Sequence, residues 1–171
     1  LSIIAEFYAH PEDEYICFSE FPVGDGSVEF AIFSGRSRMD VTLIEVKGAD
    51  YYLLNQDSYE NFSQKFNESA NQIRSRLGLI YRDGLDEFRT RVHSIRKRVE
   101  EGECHHNSFV GPHTPLQVDP NKDINLRCIV IGGRTRNDIK ESRRRHEYEQ
   151  TSVPRIGVET WDSWLMKLSR L

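Results

Sequence analysis

Apolar residues in the first third of the chain come in short, nearly continuous runs. Tyr15–Val23 (YICFSEFPV) is rich in aromatic and β-branched residues and ends on Gly24-Asp25-Gly26, which predicts a strand entering a tight hairpin. Residues 30–33 and 41–46 read as two further strands folded back on each other, because Ser34-Gly35-Arg36-Ser37-Arg38 supplies a polar, glycine-bearing turn. The period then changes. Over 58–81, Phe62, Phe66, Ala70, Ile73, Leu77 and Ile80 recur at threes and fours, and Leu85, Phe88, Val92, Ile95 and Val99 do so over 85–101, predicting two amphipathic helices that lie antiparallel. Residues 125–132 (NLRCIVIG) form the most apolar short run and predict a central strand. A charged helix over 135–149, a strand over 155–160 and a short helix capped by Asp162 follow. Residues 1–9 read as the end of a helix broken at His10-Pro11, and 103–120 as a loop. This order of elements predicts an α/β fold with a mixed sheet flanked by helices.

Composition narrows the class. A chain of 171 residues suits one domain, 1–171, with a substantial core. No apolar run reaches the roughly 20 residues of a membrane span, and no secretory signal opens the chain. It begins with Leu, so it is expected to be the C-terminal part of a longer protein. Cys17, Cys104 and Cys128 have no framework spacing and fit reduced thiols in a cytoplasm. Cys104-His105-His106 and His113 bring zinc to mind, but adjacent ligands close a tetrahedron poorly.

The chemistry concentrates in the three predicted strands. A turn centred near Ser37 sets Glu29 opposite Glu45, and directly opposed residues lie roughly 5 Å apart at Cβ. Two carboxylates that close repel unless something positive, most simply a divalent ion, sits between them. Lys47, two residues beyond Glu45, projects from the same face. With a two-residue Gly24-Asp25 loop, Glu20 falls opposite Glu29 and completes a row of hard oxygen ligands suited to Mg²⁺ or Mn²⁺. A three-residue loop shifts the pairing by one and turns Glu20 away. Asp40 competes for a ligand role, but five residues of strand put it roughly 16 Å from Glu45 with the opposite parity. It reads as a hairpin-end residue pairing with Arg36 or Arg38.

An acid on one strand, a hairpin, then Glu45-Val46-Lys47 on the next resembles the PD-(D/E)xK nucleases. The wider setting is more specific. SEFPVGDG, IFSGRSRMDVTLIEVKGADYYLLNQ, the helix containing ANQI, the strand CIVIGGR and the closing IGVETWDSWL resemble the nuclease domain of the Shedu immune nucleases over nearly the whole chain. The first acid is Glu29 where the superfamily usually carries Asp, and no Pro precedes it. The resemblance implies a restriction-endonuclease-like core in a bacterial, cytoplasmic, homo-oligomeric enzyme that cleaves DNA in anti-phage defence. It assigns Glu29 and Glu45 to Mg²⁺ (or Mn²⁺), Lys47 to the charge developing on the phosphate or to positioning the water, Glu20 to an assisting role and Gln72 to the helix glutamine near the metal.

Net charge is −4, which argues against a protein that coats nucleic acid, yet the basic residues are clustered. Arg96, Lys97 and Arg98 on the second helix and Arg143, Arg144 and Arg145 on the charged helix could hold a DNA backbone irrespective of sequence, or simply solvate helix faces. Two rivals to the nuclease stay open: a catalytically silent module that binds DNA ends or an effector, and an oligomerisation domain using the amphipathic helices and Trp161/Trp164.

Overall fold

The computed structural model describes residues 2–56 and 60–169. Its elements are α1 (Ser2–Tyr8), β1 (Tyr15–Val23), β2 (Gly26–Ser34), β3 (Asp40–Val46), α2 (Gln64–Asp83), α3 (Leu85–Glu100), β4 (Phe109–Val110), β5 (Asn125–Ile131), α4 (Asp138–Thr151), β6 (Ile156–Glu159) and α5 (Trp161–Leu168). The strands form a six-stranded sheet in the order β4-β1-β2-β3-β5-β6. Pairing is antiparallel at β4–β1 and β1–β2 and parallel at β5–β6. The fold is therefore α/β with a mixed sheet and flanking helices, consistent with a restriction-endonuclease-like core. The chain falls into two compact units, Leu1–Leu43 with Ser75–Arg127, and Ile44–Arg74 with Cys128–Leu171.

In the first unit, Gly24 takes φ +63 and closes a two-residue turn, and the ladder runs from Val23↔Gly26 to Tyr15↔Ser34. That register excludes the three-residue loop. Residues 15–18 are all buried, as in a strand covered on both faces. Phe18, Phe21 and Phe33 pack at ring separations of 4.7–5.6 Å, and burial of each contributes roughly 1.5–3 kcal/mol. Helix α3 turns Phe88, Val92, Ile95 and Val99 inward as its spacing predicts, but Leu85, at its first position, is exposed.

Two expectations fail in this unit. The loop over 103–120 contains β4, which pairs Val110 with Ile16 and Phe109 with Cys17; two residues are too short a run to leave a periodic signal. Asp40 pairs with neither Arg36 nor Arg38. It accepts from Asn125 Nδ2 at 2.9 Å and lies 3.3 Å from Arg127, whereas Arg36 is held by Glu14 and Arg38 donates to the Asp123 and Ile124 carbonyls. Partners distant in sequence outcompete the local turn.

In the second unit, β5 and β6 pair from Cys128↔Ile156 to Ile131↔Glu159. Helix α2 begins at Gln64, not near 58; Ser58 lies outside the described residues. The preceding segment is occupied in pairing, since Asn55 N–H donates to Asn61 and Ser63 N–H to Leu53, while the Ser63 hydroxyl accepts from Phe66 N–H. Helix α4 likewise starts late, at Asp138, with Asn137 as its cap. Helix α5 is capped by Thr160 through a reciprocal box with Ser163 rather than by Asp162, whose carboxylate accepts from Arg134 Nε and Thr135 N–H. Phe62, Phe66 and Tyr148 form an aromatic cluster with centroids 4.5–5.6 Å apart.

Candidate active site

Glu45 and Lys47 lie at the end of β3, and the backbone beyond is fixed from several sides. Lys47 N–H donates to the Ile131 carbonyl at 2.8 Å, continuing the ladder past β3, and the Lys47 carbonyl accepts the Trp161 indole N–H at 2.7 Å. Gly133 N–H donates to Gly48, Arg134 N–H to Tyr51 and Leu53 N–H to Arg134, so the segment after Lys47 runs beside the end of the CIVIGGR strand. The side chain of Glu45 is only 7% exposed, and its Oε1 accepts from Lys47 Nζ at 2.7 Å; Lys47 keeps 32% of its side chain in solvent. A buried carboxylate paired with a partly wet ammonium is a charge-balanced pair with an accessible donor.

The surroundings are polar and strongly paired. The hydrogen bond from Lys65 holds the Asp50 carboxyl below the usual range, and the one from Arg134 does the same for Asp162. Burial, helped by the Asp50 charge, pushes the Tyr51 phenol up to about 12. Tyr52 is exposed, with the Arg136 guanidinium 3.8 Å from its ring centroid.

The other site residues of the sequence reading are placed as follows. Gln72 is exposed on α2. In the first unit Glu29 is exposed on β2, and the pairs Ser19↔Phe30 and Phe21↔Val28 set Glu20 opposite it. That position drops out of the regular ladder, because Glu20 adopts φ +52, a left-handed conformation costing about 1–3 kcal/mol. Among the described residues no group of three or more His, Cys, Asp and Glu is placed to hold a metal ion.

The basic clusters are less available than their sequence suggests. Arg96 has a side chain only 12% exposed and is bidentate on Glu100, which also accepts Leu116 N–H. Lys97 and Arg98 are far more exposed. On α4, Arg145 is tied to Ser163 and Asp138 and Arg144 to Glu147 and the Glu60 carbonyl, while Arg143, 3.7 Å from a Glu60 carboxylate oxygen, keeps 68% of its side chain exposed.

The family model described as Shedu protein SduA, C-terminal, matches residues 1–165. The chain belongs to this family. No curated protein and no solved structure matches it. Membership of the Shedu family ties the chain to the Shedu defence system. Among the described residues of this Shedu chain, no helix is long and apolar enough to cross a membrane. Sequence reasoning missed the part played by Gly132, Gly133 and Trp161 around Lys47; the double glycine closing an apolar strand was the available signal, since it marks close approach of another chain segment.

Proposed function

We propose that the chain is a metal-dependent DNA endonuclease acting in Shedu anti-phage defence as a homo-oligomer. The observation that carries the reading is the Glu45–Lys47 pair, a carboxylate withdrawn from water beside an ammonium that still reaches solvent. Glu45 and Glu29 are the carboxylates that the resemblance to the PD-(D/E)xK nucleases assigns to Mg²⁺ or Mn²⁺. Such an ion, when bound, polarises a phosphate and lowers the pKa of an attacking water. Lys47 places its positive charge where negative charge develops on the phosphate oxygens. Glu20 and Gln72 assist by orienting water or phosphate, a task an amide performs without adding charge. Exposed Lys97, Arg98 and Arg143 contact the DNA backbone, which gives affinity without sequence choice.

Incubating the protein with supercoiled and with linear DNA in Mg²⁺, Mn²⁺ or EDTA tests the reading. Cleavage in either metal, abolished by EDTA, is expected. DNA binding with no cleavage in any metal favours the catalytically silent module.

A further inference from the structure

Tyr51 carries a buried hydroxyl with no hydrogen-bond partner. A β-carbon added to Gly132 would lie 2.5 Å from Tyr51 Oη and 3.1 Å from Lys47 Cβ, so the hydroxyl and the root of the lysine side chain meet over one bare stretch of backbone. Gly133 extends the shelf: a β-carbon there would fall 2.8 Å from Tyr51 Cε2. The Tyr51 main chain is fixed by Arg134 N–H, 2.7 Å from its carbonyl. Its ring lies beneath the Lys65 ammonium, 5.6 Å from the centroid, which Asp50 holds in place. A phenylalanine would fill the same space without burying an unpaired polar group, so packing alone gives no reason for the oxygen.

Lys47 supplies one. Its ammonium rests on Glu45 Oε1 at 2.7 Å, and a carboxylate that turns toward another cation gives up part of that bond. The lysine can then take a second acceptor, because its flexible four-carbon stem with rotatable donors changes partners from a fixed root. We propose that Tyr51 is a positioning residue of the catalytic centre, its hydroxyl accepting the Lys47 ammonium when Glu45 is engaged elsewhere and so keeping that charge from swinging into solvent. The catalytic meaning of this rests on the nuclease reading. The change of acceptor is a property of the chain that can be observed without any reaction.

Two measurements separate the claims. In protein labelled with ¹³Cζ-tyrosine, with the Tyr51 signal assigned by Tyr51→Phe, the resonance is expected to move in Glu45→Met, which removes both acceptor oxygens, and to return when Lys47→Met is added. A signal that does not move, or that moves equally without Lys47, overturns the proposal. In single-turnover cleavage, Tyr51→Phe is expected to slow the chemical step about tenfold with DNA affinity and Tm not lowered. Unchanged chemistry, or a loss confined to affinity, also overturns it. A wild-type protein that cleaves no DNA sinks the nuclease reading alone, and the resonance experiment still decides whether Lys47 moves to Tyr51.

Discussion

Lys47 Nζ lies 2.7 Å from Glu45 Oε1, yet the two members of the pair are unequally wet, the glutamate buried and the lysine about one-third exposed. The asymmetry sets the cost of breaking the pair from each side. Lys47→Met leaves a carboxylate in the interior without its counter-charge and is expected to cost about 1–3 kcal/mol. Glu45→Gln leaves an ammonium that water can reach and is expected to change stability by less than about 1 kcal/mol. Urea unfolding midpoints of the two variants check the order; equal losses would mean that Glu45 is better solvated than its burial implies.

The basic clusters divide in the same way. Arg96→Ala strips the partner from Glu100, whose side chain is at least as buried, and is expected to lower stability by about 1–3 kcal/mol. Lys97→Ala, Arg98→Ala and Arg143→Ala are expected to leave stability within about 0.5 kcal/mol. Each should weaken DNA binding for every sequence and flatten its salt dependence by about one unit of slope per lost phosphate contact. Titrations of DNA affinity against salt for the three exposed substitutions check this; unchanged slopes would put the DNA path elsewhere.

His93 gives the chain a pH dependence. Its imidazole is buried with both ring nitrogens unpartnered, and burial, reinforced by Arg96 and Arg89 against an opposing Asp119, holds its pKa below the ordinary value. The unfolded chain then takes up a proton near pH 6.5 that the folded chain resists, so stability falls as pH drops below about 6.5. His93→Leu is expected to flatten the decline between pH 7 and 5 without abolishing it, because His106 is also held low by burial. Thermal unfolding across that range provides the comparison; parallel wild-type and variant curves would remove His93 as a cause.

Much of this arrangement was legible in the residues. Aromatic and β-branched runs bounded by Gly24-Asp25 gave the β1–β2 hairpin but left two registers open, and the Val23↔Gly26 pairing selects the one with the two-residue loop. Helical spacing gave the buried faces of α2 and α3, since core contacts there recur with the helix period. Asp40 was misread because its partners Asn125 and Arg127 lie far along the chain, beyond any local pattern. The commitment of Arg96 and Arg145 was hidden for a related reason. A run of arginines looks uniform in sequence, while the helix turns its members toward different neighbours. The place of Tyr51 was hidden too, because the glycines that admit its ring, Gly132 and Gly133, come some 80 residues later.

The central claim is that Glu45 binds the metal on which cleavage depends, and its most direct test is the single-turnover rate of DNA cleavage by Glu45→Gln in Mg²⁺. The substitution keeps the shape of the side chain and removes the charge, with Asp40→Asn as a control of the same chemical type on the same strand. The account predicts that Glu45→Gln loses at least about two orders of magnitude in rate while remaining folded, and that Asp40→Asn cleaves at close to the wild-type rate. Cleavage by Glu45→Gln at the wild-type rate, or its loss in Asp40→Asn alone, would contradict it.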